Sequence, residues 1–220
     1  MFYRTADGIY RCSLLDETGW VDHGFGTRHA ARWRREPLAT LRQIHSDHWI
    51  LADGRPGCLG SGDALITDRP GLLVGVRTAD CVPILIADPV RRAVAAVHAG
   101  WRGAARAIAA GIVNALQQSF GSRPEDLLAA MGPAICASCY VVGPEVAQLF
   151  EPSSPALRRR GDDIHLDLKE ICRQQLIKAG VRADRIAASD LCTRCLPEEF
   201  FSYRRGDRGG RMLSVIGKRA

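Results

Sequence analysis

"GLLVGVRTADCVPILIADPVRRAVAAVHAGWRG", Gly71 to Gly103, decides the fold of this chain. Three apolar stretches follow one another, 71–81, 82–88 and 92–100, with Asp88-Pro89 turning between the last two. Runs this short and this continuous, bounded by turn residues, read as strands buried on both faces. The third closes on His98, directly ahead of a Gly-Trp-Arg-Gly turn. A buried strand has little use for an imidazole unless something beyond its tip needs a nitrogen lone pair.

The period changes after that turn. Ile108, Ile112, Leu116 and Phe120 recur every four residues, so 104–120 is expected to be one helix with an apolar stripe. Residues 127–135 return to strand character, Pro144 opens a short helix through Phe150, and "EPSSPALRRRGDD" reads as an exposed loop. Asp167 stands three residues before Glu170 in the manner of a capping box, opening a helix that stops at Gly180. "RIAASD" is expected as a strand, and "FFSYRRGDRGGRMLSVIGK" as a closing hairpin. Short links between strands, without a strict strand–helix alternation, predict an α+β chain. The expected form is a single-domain mixed α/β sandwich over 1–220, with largely antiparallel or mixed sheets and flanking helices.

With 220 residues and 46% hydrophobic content the chain can bury one substantial core. No segment approaches the roughly 20 apolar residues of a membrane span, and the start has no apolar export region, which predicts a cytoplasmic protein without membrane contact. In that compartment the eight cysteines are expected as reduced thiols. The net charge of +6 is dispersed over Arg32, Arg34, Arg35, Arg91, Arg92, Arg158 to Arg160, Arg204 and Arg205, without interleaved stacking aromatics. That argues against a nucleic-acid partner and for a solvated surface that also favours small anions such as phosphate.

Three residues share one feature: His45 closes "LATLRQIH", Cys81 closes "GLLVGVRTADC" and His98 closes "RAVAAVH". If the three strands neighbour one another in one sheet, their ends converge on one edge. Two imidazoles and a thiolate suit Zn²⁺, and three protein ligands leave the open position of a catalytic site. On spacing alone, a packed core cysteine and two edge histidines account for the same residues. His48, three residues past His45, faces the other side of a strand and reads as surface.

Cys136-Ala-Ser-Cys139 and Cys192-Thr-Arg-Cys195 form two CxxC units. Four such thiolates make a common structural zinc site, but the separation of these pairs is far outside a compact zinc ribbon. Reduced thiols in loops are the expectation, with a Cys136–Cys139 redox disulfide as a weaker alternative. After His98, the turn at Gly100 and Gly103 aims backbone N–H groups at the strand tip, and Arg102 adds a planar cation suited to phosphate. A packing indole at Trp101 beside a surface arginine reads equally well locally.

Taken in order, "RQIHSDHW", "GDALITDRPGLLVGVRTADCVPILIADP", "AAVHAGWRG", "MGPAICASCYVVGPEV" and "FFSYRRGDRGGRMLSVIGK" resemble the laccase-domain family, formerly labelled multicopper polyphenol oxidases and regarded as zinc-dependent purine nucleoside phosphorylases. The resemblance covers about Gly24 to Gly217. It implies zinc on His45, Cys81 and His98, and phosphorolysis of adenosine, guanosine, inosine and methylthioadenosine to free base and pentose 1-phosphate. Adenosine deamination, a monomeric state and a single sandwich domain are implied as well. The chain departs from the family pattern at Val141, where the family places a glutamate, and in a shortened segment before His45.

For that chemistry Arg102, with Arg28 of "GFGTR", is expected to bind phosphate. Asp63 is the expected proton carrier, and Asp80 the carboxylate orienting a zinc-ligating histidine. A metal there would orient phosphate or activate a water. Editing of peptidoglycan precursors by a zinc hydrolase is the rival enzyme reading, and a basic binding protein with structural zinc the non-enzymatic one. A copper oxidase is disfavoured, because the six histidines form no His-x-His pair.

Overall fold

The structure, a computed structural model, describes residues 1–30, 37–151 and 154–220. Arg32, Arg34 and Arg35 of the dispersed basic set lie outside the described residues, as does part of the shortened segment before His45.

The described chain begins β1 (Phe2–Arg4), β2 (Tyr10–Cys12), α1 (Ser13–Asp16), β3 (Val21–Phe25), β4 (Leu38–Arg42), β5 (Trp49–Leu51) and β6 (Gly57–Ser61). Next come β7 (Ala64–Thr67), β8 (Leu73–Thr78), β9 (Val82–Asp88), β10 (Ala93–Ala99), α2 (Trp101–Ala105), α3 (Ile108–Phe120) and β11 (Leu128–Met131). It closes with β12 (Val141–Val142), α4 (Pro144–Ala147), β13 (Leu157–Arg160), β14 (Asp163–Leu166), α5 (Leu168–Lys178), β15 (Ile186–Ala188) and β16 (Met212–Lys218).

Among the described residues these strands form three sheets. The first has order β1-β2-β3-β16-β8-β4-β6, the second β15-β11-β9-β10-β7-β5, and a small third β12-β14-β13. The first two mix orientations: β8–β4, β4–β6, β11–β15 and β5–β7 are parallel, and the remaining pairs antiparallel. This is the expected single-domain mixed sandwich.

Every residue of β9 and β10 is buried, because the second sheet is covered on both faces. Alternation along the strands divides their side chains. Ile84, Ile86, Ala95 and Val97 pack with Ile108, Ile112 and Leu116 of α3 and with Leu168 and Leu176 of α5. Leu85, Ala87, Val94 and Ala96 pack instead with Val74, Val76 and Ile216 of the first sheet. His98 continues the second series, so its imidazole emerges where the two sheets face each other.

Several expectations are corrected. The helix expected over 104–120 is broken at Ala107, whose backbone is left-handed at φ 58. The last turn of α2 tightens there, Ala107 N–H donating to Ala104 O at 3.0 Å. The new direction lets Ile108 and Ile112 face the second sheet while α2 stays against the His45 loop. Residues 201–211 form turns rather than one arm of a hairpin. Asp207 Oδ2 accepts from Ser202 N–H at 2.9 Å, and the Arg205 guanidinium donates to Phe200 O at 2.6 Å and Thr193 O at 2.9 Å. β16 pairs with β3 and β8 instead. The loop expected after Glu151 contains the β13–β14 hairpin, pinned by Leu166, which is buried. The three strands expected to share one sheet do not: β4 and β8 belong to the first, β10 to the second.

Asp167 caps α5 as read, its Oδ1 accepting from Glu170 N–H at 3.1 Å. Asp88 Oδ1 accepts from Val90 and Arg91 N–H at 2.8 and 2.9 Å, which makes the turn into β10.

Candidate active site

His45, Cys81 and His98 each offer a ligand atom, and the three atoms lie within 4.8 Å of one another. They meet across the mouth of the sandwich, not along one sheet edge. His45 lies beyond β4 in the left-handed region, at φ 58. Cys81 sits where the chain leaves β8 of the first sheet and enters β9 of the second, just after Asp80 at φ 87. His98 is the penultimate residue of β10. Two non-glycine residues with positive φ flanking one cluster mark a backbone held in place by its surroundings.

Asp63 does much of that holding. Its carboxylate, fully buried, accepts from His45 N–H at 3.0 Å, Ser46 N–H at 2.5 Å, Ser46 Oγ at 2.7 Å and His98 Nδ1 at 2.8 Å. Burial alone would raise its pKa; the hydrogen bonds from His98 and Ser46 outweigh that and hold it down at about 2. With Nδ1 committed, His98 presents Nε2 to the cluster, the arrangement of metal-ligating histidines backed by a carboxylate. Burial also pushes the Cys81 thiol up, but His98 and His45 bring it down to about 6. His98 is pushed down by burial and lifted more strongly by Cys81 and Asp63, to about 9. A thiolate at neutral pH beside two imidazoles fits a borderline divalent ion such as zinc.

Gly100 and Gly103 explain the turn after His98. A Cβ on Gly100 would stand 3.0 Å from Cys81 Sγ and 3.1 Å from His45 Cδ2; one on Gly103 would stand 2.9 Å from Ser46 O. The glycines let α2 close directly over the ligand cluster, with only hydrogen where a side chain would intrude.

The cluster forms the floor of a cavity of about 600 Å³. Its lining includes Trp101, Tyr140 and Tyr203, together with Arg77, Arg102, Arg204 and Arg211. Arg102 stacks over Trp101 at 4.3 Å and Arg204 over Tyr140 at 4.7 Å, which fixes two of the cations against ring faces. Burial, followed by the charge of Cys81, raises the Tyr140 pKa to about 12, so its phenol stays protonated.

A family model described as multi-copper polyphenol oxidoreductase laccase matches residues 25–219. The chain belongs to that laccase family. It is 38% identical over 180 residues to a protein of Shigella flexneri named purine nucleoside phosphorylase YfiH, covering 80% of this chain and 72% of that one. Another relative, named adenosine deaminase RL5 and from an unknown prokaryotic organism, is 38% identical over 201 residues, covering 82% and 75%. The crystal structure of YlmD from Geobacillus stearothermophilus superposes with a TM-score of 0.91 at 32% identity, covering 100% of this chain and 99% of that one.

In this laccase-family chain the two candidate carboxylates sit in different surroundings. Asp63, read as the proton carrier, lies beneath the cavity and orients His98. Asp80 lines the cavity and orients no histidine; its oxygens accept from Thr193 Oγ1 at 2.7 Å and Arg204 N–H at 2.8 Å. Arg102 lines the cavity, whereas Arg28 does not: it packs over Phe201 at 4.9 Å and donates to Pro197 O. Arg77, Arg204, Arg211, Tyr140 and Tyr203 also line the cavity, Arg204 among them despite belonging to the basic set that reads as solvated surface. Nothing in the sequence separates these arginines from the many that face solvent. His48 is exposed, as read.

The expectation drawn from the spacing of the two CxxC units is also corrected. Cys136, Cys139, Cys192 and Cys195 are free thiols, as read, but the separation of the pairs does not keep them from sharing a site: their sulfurs all lie within 4.8 Å of one another. Distance along the chain was the wrong measure, because the pairing of Ala134 with Cys192 brings the two CxxC units together.

Proposed function

We propose that this chain is a zinc-dependent purine nucleoside phosphorylase acting on adenosine, inosine, guanosine and methylthioadenosine. One observation carries the reading: four arginines and three aromatic rings share a single cavity with the His45–Cys81–His98 cluster. Guanidinium forks recognise phosphate oxygens, and flat ring faces take a purine. A volume of about 600 Å³ suits a nucleoside together with phosphate. Relatives named purine nucleoside phosphorylase support the same substrate class.

In phosphorolysis the N-glycosidic bond breaks, its electron pair leaves with the purine, and a phosphate oxygen bonds to the anomeric carbon. The departing base takes up one proton, matched by the one that hydrogenphosphate gives up as its oxygen becomes the ester oxygen. Arg102 and Arg204, fixed on Trp101 and Tyr140, bind the phosphate and hold its oxygen beside the sugar. Trp101, Tyr140 and Tyr203 flank the base and exclude water around it. Asp63 keeps the His98 imidazole in one tautomer and orientation, so it is a positioning residue. His45, Cys81 and His98 would hold a zinc ion, which when bound would supply Lewis acidity to the site. Zinc is preferred to coupled copper centres because, among the described residues, only two histidines join any group able to hold a metal.

The test is incubation of zinc-loaded protein with adenosine, with and without phosphate, followed by chromatography. Adenine and ribose 1-phosphate that form only with phosphate are the expected products. Absence of base release under both conditions refutes the proposal. Inosine in the same assay would show adenosine deamination, an activity that the name of one relative suggests.

A further inference from the structure

Away from the cavity floor, the four sulfurs of Cys136, Cys139, Cys192 and Cys195 lie within 4.8 Å of one another, and all four cysteines are free thiols. Thiolates bound to one tetrahedral zinc at about 2.3 Å stand about 3.8 Å apart. Cys139 Sγ and Cys195 Sγ are 3.4 Å apart, well beyond a bonded pair of about 2.05 Å. Cys136 N–H donates to Cys192 Sγ at 3.3 Å, the kind of contact that stabilises charge on a ligating sulfur. Arg194, inside the second CxxC unit, donates to Cys139 O at 3.2 Å and places a cation beside a group that would be anionic around a divalent ion. Four cysteines around one point leave no open position, so the group is closed in the manner of a structural site.

We propose that Cys136, Cys139, Cys192 and Cys195 bind a second zinc ion that clips residues 136–139 to residues 192–195 and thereby fixes one wall of the cavity. The clip lies next to that wall. Thr193, between Cys192 and Cys195, donates to Asp80 Oδ1 at 2.7 Å. Tyr140 directly follows Cys139, carries Arg204 over its ring at 4.7 Å, and precedes Val141, whose O accepts from Arg204 at 2.8 Å. Arg205 donates to Thr193 O at 2.9 Å and Arg194 O at 3.1 Å. Cross-linking the two CxxC turns therefore fixes the segment that presents Tyr140 and Arg204.

The test separates this ion from any on the His45 group. Cys81→Ser removes the only thiolate of that group. Purified under reducing conditions without chelator, this variant is expected to keep about one zinc per chain by elemental analysis. Adding Cys139→Ser and Cys195→Ser is expected to abolish that zinc. Cobalt substituted into Cys81→Ser should show strong sulfur-to-metal charge-transfer absorption, whose absence overturns the proposal even where the cysteine variants fold poorly. Zinc lost entirely in Cys81→Ser, or kept in full after Cys139→Ser and Cys195→Ser, overturns it as well. The clip role is read by amide hydrogen exchange over 190–205. Exchange there should quicken at least tenfold in Cys139→Ser/Cys195→Ser, and an unchanged rate refutes the clip.

Discussion

Asp63 holds His98 twice: its carboxylate accepts from His98 Nδ1 at 2.8 Å, and its backbone oxygen accepts from His98 N–H at 2.7 Å. The same carboxylate accepts from the His45 and Ser46 amides, so one buried aspartate positions two members of the cluster, one from each side of the sandwich.

Asp63→Asn should therefore weaken metal binding without changing any ligand. Loss of a carboxylate behind a ligating histidine typically costs about 10–100-fold in affinity. Competition against a zinc-binding dye in the Cys139→Ser/Cys195→Ser background measures it; affinity equal to the parent would show that Asp63 does not tune the site.

Gly100→Ala should crowd the ligands themselves, since the new methyl would sit 3.0 Å from Cys81 Sγ and 3.1 Å from His45 Cδ2. We expect zinc occupancy of the His45–Cys81–His98 group to fall while circular dichroism stays that of the parent. Full occupancy would mean that the α2 turn yields more easily than its packing suggests.

Arg102→Ala and Arg204→Ala should each raise the KM for phosphate by about tenfold, the loss of one charge-assisted contact. Arg28→Ala should leave it unchanged, because Arg28 does not line the cavity. Steady-state kinetics over a range of phosphate concentrations decides this, and a KM effect confined to Arg28→Ala would reverse the assignment.

His23 provides a pH-dependent term in stability. It is fully buried and its Nε2 accepts from Cys12 N–H at 2.9 Å, which requires the neutral ring. Burial pushes its pKa from about 6.5 to about 4. The unfolded chain binds the proton more readily, so this contribution is complete above pH 6.5 and is lost as pH falls through about 4, on the order of 3 kcal/mol. Urea unfolding at pH 7 and pH 4.5 should show a smaller pH difference for His23→Gln than for the parent. Equal pH differences would remove His23 as the source.

The apolar runs from 71 to 100, the stripe Ile108–Ile112–Leu116 and the cap at Asp167 were legible in the sequence, because burial and local hydrogen bonding act over a few neighbouring residues. His45, Cys81 and His98 could be singled out for the same reason: each is a metal-ligating side chain at the end of an apolar run. What they end against could not be read, since the crossing from β8 of one sheet to β9 of the other is a choice of partners. That choice placed Asp63 under His98, selected Arg77, Arg204 and Arg211 from the surface arginines for the cavity, and drew Cys136–Cys139 onto Cys192–Cys195. The sequence by itself determined the buried elements and the residue types at their ends. Only the tertiary structure decided which ends meet, because long-range contacts follow the pairing of strands and not distance along the chain.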